Sequence, residues 1–259
     1  METIEITSLQ NDLIKEIVKL KNPKYRKEKK LILADGNKTI EGFIEDDIEF
    51  EYLFIKKTDN KYKNIKTKNL VYVTDAILAK ISTTITPANV VGVIKEKEID
   101  KNIFFNLSKI ALIEDIKDPG NLGTIIRSAC AFSIEGIILF GNCVDLYNSK
   151  TIRATTQNIF KIPIIQTRDI DFLYKLKKSH KFISTVVDSN KDFFDYKFDK
   201  KFVIMFGSEA CGLSDKIIEL SDEKLTFLMD NNVESLNLGV CASVAFALIK
   251  QKEEIGKIN

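Results

Sequence analysis

No apolar run in this 259-residue sequence approaches the roughly 18 residues of a membrane span, so no membrane partner is expected. The opening METIEITSLQ has no basic stretch followed by an apolar one, which argues against a secretion signal. Four cysteines, Cys130, Cys143, Cys211 and Cys241, stand apart without the CxxC spacing of a zinc site or redox pair. They read as reduced, packed thiols in a cytoplasmic protein, and no metal is expected. The one histidine, His180, lies in the charged run KLKKSHK and reads as a surface residue, which removes the commonest general base. No internal repeat or low-complexity tail is present.

Net charge is also small, at +2, but it is unevenly spread. Residues 13–30 hold Lys15, Lys19, Lys21, Lys24, Arg26, Lys27, Lys29 and Lys30 against Glu16 and Glu28, so eight positive minus two negative charges leave +6. Leu13, Ile14, Ile17, Val18 and Leu20 recur at helical spacing and predict an amphipathic helix with Lys15 and Lys19 on its wet side. A merely solvated lysine face and a nucleic-acid footprint both fit this pattern.

What the chain does have is a polar loop of unusual build. KIALIED (109–115) suits a buried strand, and Asp118, Pro119 and Gly120 break it. In the helix that follows, Leu122, Ile125, Ile126, Ala129 and Cys130 form the buried stripe, while Thr124, Arg127 and Ala131 share the opposite side. Asn121, in the first turn, either caps the helix or reaches a pocket, and Arg127 is either a solvated charge or a functional one. Two further segments have the same build. FVIMFGSEACGLS (202–214) ends an apolar run in Gly207, Ser208 and Glu209, which sets a carboxylate in a turn at the ligand edge of a parallel sheet. FLMDNNVESLNLGVCASVAFAL (227–248) leads from a short strand, 224–228, through Asn231, Asn232, Glu234, Ser235 and Asn237 into a last helix of small residues.

These three segments, in this order and spacing, resemble motifs one, two and three of the SpoU (TrmH) branch of the SPOUT RNA methyltransferases, over roughly 108–250. NSKTIRATTQNIFKIP (148–163) resembles the family's segment after the second strand. The departures are Ser133, Ala210 and Asn231 where glycines are usual, Leu228 for a proline, and Gln157 for a small residue. The resemblance implies an α/β fold with a SPOUT-type parallel sheet and a carboxyl-terminal trefoil knot, S-adenosylmethionine as cofactor, a ribose 2′-hydroxyl as acceptor, and a homodimer. Ala242, Val244, Ala245 and Leu248 would supply the twofold contact face, although a core helix would read the same way.

By the same resemblance Arg127, Asn121, Glu209, Ser235 and Asn237 are the catalytic residues. Gly207, Phe227, Leu228, Met229 and Leu236 hold the cofactor, chiefly through backbone. A guanidinium with a pKa above about 12 does not readily release a proton. Arg127 is therefore expected to fork onto a neighbouring phosphate and ease alkoxide formation, with that phosphate, Glu209 or water accepting the proton.

TSLQNDLIKEIVKLKNPKYRKEKKLILADGNKTIEGF (7–43) resembles the small α/β/α, ribosomal-protein-like substrate-binding domain of many SpoU enzymes. The apolar runs 52–55, 70–73 and 90–94 fit it as strands, with Thr86 and Pro87 in the turn before the last. The charged stretch KEKEIDKN (95–102) reads as a passage between domains. The expected division is an RNA substrate-binding domain at 1–97, a linker at 98–107 and a methyltransferase domain at 108–259. Lys15, Lys24, Arg26, Lys27 and Arg153 are the expected RNA contacts. Large-subunit ribosomal RNA is the expected substrate and transfer RNA the alternative; a non-catalytic RNA-binding or ribosome-assembly factor is the competing class.

Overall fold

A computed structural model describes residues 2–256 except 64, 85, 87, 231, 233 and 234, so Pro87, Asn231 and Glu234 lie outside the described residues. The chain packs as two compact units, one of 1–98 with 145–157 and one of 99–144 with 158–259.

The first unit is built on a mixed five-stranded sheet. Its elements are β1 (Glu2–Ile6), α1 (Asp12–Lys19), α2 (Pro23–Lys29), β2 (Leu31–Asp35), α3 (Asn37–Glu45), β3 (Phe50–Ile55), β4 (Thr67–Val73), α4 (Asp75–Ile81) and β5 (Val90–Lys95), in the sheet order β1-β4-β3-β5-β2. β1, β4 and β3 run parallel, whereas β5 is antiparallel to both β3 and β2. Ile14 and Ile17 of α1, spaced three apart, are buried in a core with Phe54, Val71, Val91 and Val93. Asn11 starts that helix, its side chain accepting from the Leu13 amide at 2.9 Å.

The second unit holds a six-stranded, all-parallel sheet. It runs through β6 (Lys109–Glu114), α5 (Pro119–Ala131), β7 (Gly136–Phe140), β8 (Ile164–Thr167), α7 (Ile170–Lys177), β9 (Lys181–Thr185), β10 (Phe202–Phe206), α8 (Asp215–Ile218), β11 (Glu223–Leu225) and α9 (Leu238–Glu254); α6 (Ser149–Thr155) belongs to the first unit. The sheet order is β11-β9-β10-β6-β7-β8. Every residue of β6, β7 and β10 is buried, as expected for central parallel strands covered on both faces.

The expected boundaries cut the chain in sequence order, but packing does not. The stretch 145–157 joins the first unit because two charge pairs hold it there: Arg26 with Asp145, and Arg153 Nη1 with Asp35 Oδ1 at 3.1 Å. Residues 99–107 join the second unit through a 3-10 turn, Lys101–Asn106, whose Phe104 is fully buried.

His180 is a second correction. It is buried, with Nε2 2.7 Å from the Leu107 carbonyl and Nδ1 2.9 Å from Ser179 Oγ, so the charged run around it conceals a core residue. Ala242 and Ala245 are likewise fully buried within their own chain, not on a free face, whereas Val240 and Val244 of α9 are exposed and Leu248 is half-buried. The short strand expected at 224–228 is confined to Glu223–Leu225.

Candidate active site

The site forms at the carboxyl ends of β6 and β10, which pair in parallel with Ile113 opposite Phe206. Past β6, the Asp118 carboxylate accepts from the Asn121 amide at 2.8 Å and Pro119 occupies the first turn, which starts α5 where the sheet ends. Leu122, Ile125, Ile126 and Ala129 are buried, while Thr124 and Arg127 are exposed, as their spacing predicts. Among the described residues nothing pairs with the Arg127 guanidinium. The helix stops with Ser133 at φ 60°, so serine here takes the left-handed conformation for which the family uses glycine.

Past β10, the chain folds back in a tight hairpin, with Ser208 and Gly212 exchanging backbone hydrogen bonds of 3.0 and 2.9 Å. A Cβ on Gly207 would stand 1.9 Å from the Gly212 carbonyl carbon, so no other residue fits this turn. Glu114, the last residue of β6, fixes the far end of the hairpin. It is buried, and its two oxygens accept from the Ser214 amide at 2.8 Å and the Ser214 hydroxyl at 2.7 Å. Sequence reasoning passed over this residue, although a carboxylate closing an apolar strand was the available signal.

Three segments then meet through side-chain amides. Asn237 Nδ2 donates to Asn121 Oδ1 at 3.1 Å, and Asn121 Nδ2 donates to Glu209 Oε1 at 2.7 Å. Asn237 also caps α9, its Oδ1 accepting from the Val240 amide at 3.2 Å, so capping and site assembly coexist in one residue. Close approach of α5 and α9 makes this possible. A Cβ on Gly239 would already lie 3.3 Å from Thr124 Cβ, and further along Ser128 Oγ and Ser243 Oγ are 2.6 Å apart.

A cavity of about 520 Å³ opens beside this chain, and Gly207, Glu209, Phe227, Met229, Ser235 and Leu236 all line it. Its apolar wall is firm, since Phe227 stacks on Phe193 with ring centroids 4.5 Å apart. Thr185, the last residue of β9, with Val186 and Val187 directly after it, completes it, and these three were not expected. Leu228 does not line it; the residue is 74% exposed. Cys211 and Cys241 also line the cavity, and burial pushes the Cys241 thiol up to about 11, so it stays protonated and inert at neutral pH.

The expected RNA contacts divide. Lys15 is exposed and 3.1 Å from Asp12, and Lys24 and Lys27 are exposed on α2. Arg26 is buried; it donates to the Leu20 and Lys21 carbonyls at 2.7 and 3.0 Å and pairs with Asp145, which leaves it structural. Arg153 is committed to Asp35 and to Thr83 Oγ1 at 2.8 Å. Both corrections have one cause, a carboxylate more than a hundred residues away in sequence.

Among the described residues no cluster of His, Cys, Asp and Glu could hold a metal, and no helix is long and apolar enough to cross a membrane.

Comparison with known proteins agrees with this geometry. The model of the SpoU rRNA methylase family matches residues 108–247, and that of an MRM3-like substrate-binding domain matches residues 11–92. An uncharacterized tRNA/rRNA methyltransferase of Synechocystis is 28% identical, with 92% of this chain and 90% of that protein covered. The 23S rRNA (guanosine(2553)-2′-O)-methyltransferase of Bacillus subtilis is 24% identical, over 93% of this chain and 96% of its own. Among solved structures, the SpoU methyltransferase AviRb of Streptomyces viridochromogenes in complex with AdoMet superposes with a TM-score of 0.85 at 21% identity, covering 95% and 99% of the two chains. The AdoMet-bound rRNA methyltransferase of Sinorhizobium meliloti gives a TM-score of 0.84 at 23% identity, covering 98% of each. With more than half its length matched by that family's model, the chain belongs to the SpoU rRNA methylase family.

Proposed function

We propose that this protein is an RNA 2′-O-ribose methyltransferase that uses S-adenosylmethionine, with large-subunit ribosomal RNA as its substrate. The observation that carries the reading is the Asn237–Asn121–Glu209 chain, which gathers three distant segments at one sheet edge beside a 520 Å³ cavity. The cavity suits the cofactor: Phe227, Met229 and Leu236 give an apolar wall for a purine, and Thr185, Ser208 and Ser235 give polar groups for a ribose and an amino acid. When bound, the cofactor supplies a sulfonium methyl that is already electrophilic, so positioning carries much of the rate.

The chain's own residues have the harder task of readying a hydroxyl that is protonated at neutral pH. Arg127 is exposed, free of partners among the described residues, and always charged; it grips the phosphate next to the target ribose and stabilises the developing alkoxide. Glu209, oriented by Asn121, offers a fixed carboxylate at the site, Ser235 lines the cavity, and Asn237 holds Asn121 in place. In the first unit the exposed Lys15, Lys24 and Lys27 supply electrostatic attraction for RNA. A carboxyl-terminal trefoil knot, a cytoplasmic location and a twofold dimer complete the reading; exposed Val240 and Val244, one turn apart on α9, support the dimer.

Mapping of 2′-O-methyl sites in ribosomal and transfer RNA from cells with and without the protein tests the substrate. A site lost only in transfer RNA would replace the ribosomal reading. Calorimetry with S-adenosylmethionine tests the enzyme, since absence of binding points to an RNA-binding factor that has kept the fold. Light scattering tests the dimer, which a stable monomer would rule out.

A further inference from the structure

The first unit contains a cavity of its own, of about 470 Å³, a size that suits a nucleotide. Lys21 and Arg26 wall it on one side, Thr84 after α4 on another, and Tyr147, Asn148 and Ser149 of the stretch 145–157 close it. Its charges do not cancel. Arg26 is matched by Asp145, and Arg153 by Asp35, whose carboxylate also accepts from Ser82 Oγ at 2.8 Å. Lys21 has no such match: its Nζ donates to the Lys80 carbonyl at 2.9 Å and to the Ser82 carbonyl, and among the described residues no carboxylate forms an ion pair with it. Partial burial holds its ammonium below the usual lysine range, against an opposing pull from the Asp35 carboxylate, which Arg153 already engages. Tyr147 and Asn148 add an aromatic ring and an amide to the lining, and burial keeps the Tyr147 phenol protonated. A cation without an ion-paired carboxylate, lining one cavity with an aromatic ring, an amide and hydroxyls, is a combination that recognises a phosphate joined to a nucleoside.

We propose that this cavity binds one unstacked nucleotide of the RNA substrate, its phosphate on Lys21 Nζ and its base and ribose among Tyr147, Asn148 and Ser149. The proposal rests on the RNA reading above and adds where a strand is gripped away from the methylated ribose. Two of the three walls come from opposite ends of the first unit's sequence, so the cavity exists only when 145–157 is seated.

The test is fluorescence anisotropy of the full-length protein with a labelled single-stranded hexauridylate and with a ribosomal RNA fragment. Lys21→Gln removes the cation. Ala79→Glu and Ala79→Arg alter charge at an exposed lining position without touching any hydrogen bond of Lys21, and Lys68→Gln, on β4, is the charge-matched control. Lys21→Gln is expected to weaken hexauridylate binding about tenfold and to flatten the salt dependence by about 0.7 in log–log slope, as for one lost phosphate contact. Ala79→Glu should weaken binding and Ala79→Arg strengthen it, with Lys68→Gln within about twofold of wild type on the estimate for a screened surface charge. If Lys21→Gln does not fold, the opposed Ala79 pair decides alone. Should all variants match Lys68→Gln while wild type still binds both RNAs, the cavity is not the site and the RNA reading stands. Uridine monophosphate competing as tightly as hexauridylate would make it a free-nucleotide site and overturn the proposal. Wild type that binds neither RNA would overturn both.

Discussion

Arg26 and Arg153 of the first unit and Arg127 of the second stand in opposite surroundings. In the first unit Arg26 and Arg153 face Asp145 and Asp35 and hold a distant stretch of chain in place. In the second unit Arg127 stands exposed on α5 with no partner among the described residues, although its helix is anchored by a full buried stripe. One residue type thus serves as architecture where carboxylates surround it and is left free for the proposed chemistry where they are withheld. The difference teaches that a basic residue's role depends on where the acids are, and those are often remote in sequence.

The sharpest way to break this comparison is to truncate one arginine of each kind. Arg26→Ala leaves Asp145, only 14% exposed, without its partner and should cost about 3–5 kcal/mol in chemical denaturation, a loss of stability and not of a reacting group. Near-wild-type stability would show that Arg26 is not the architectural residue described here. Arg127→Lys should do the reverse: stability within about 0.5 kcal/mol, but single-turnover methylation slower by about 10²- to 10³-fold, or ~2.7–4 kcal/mol, because the fork is lost while the charge stays. Full turnover in the lysine variant would refute the phosphate grip.

Gly207→Ala sharpens the contrast within the second unit. Its methyl would fall inside the returning hairpin, so the turn must open, and weaker S-adenosylmethionine binding by about 1–3 kcal/mol is expected by calorimetry. Unchanged affinity would mean that the hairpin does not shape the cofactor cavity.

The smallest effect concerns a partly exposed pair. Hydrogen bonding from Lys109, at 3.0 and 2.9 Å, holds the Glu253 carboxyl below its ordinary value of 4.5. A depressed carboxyl stabilises the fold above that ordinary value and loses its contribution as pH falls through the lowered one. Lys109→Met should therefore flatten the acid limb of stability below about pH 4.5, in urea midpoints measured from pH 7 down to pH 3. An acid limb as steep as wild type would mean the pair contributes nothing.

The legible parts of the molecule were those written in local pattern. β6, β10 and the buried stripe of α5 followed from apolar runs and three- and four-residue spacing, and the motifs brought Asn121, Glu209 and Asn237 to one edge. What remained hidden depended on contacts distant in sequence. Nothing near Arg26 announces Asp145, 119 residues on, and nothing in KLKKSHK announces that His180 turns inward onto the Leu107 carbonyl. Ala242 and Ala245 read equally as a dimer face or a core, because small size serves both. β1 was missed for a simpler reason: Glu2, Thr3 and Glu5 leave only two apolar residues in five, at a sheet edge where polar residues cost little.

The amide relay at the sheet edge also sets an order on biogenesis. Its third member, Asn237, begins the last helix, so a nascent chain still short of that point can pair Asn121 with Glu209 but cannot finish the site. A carboxyl-truncated product would keep the lysines of α1 and α2 but lack the cap that joins the last helix to Asn121, so any RNA affinity those lysines give would come without a finished site.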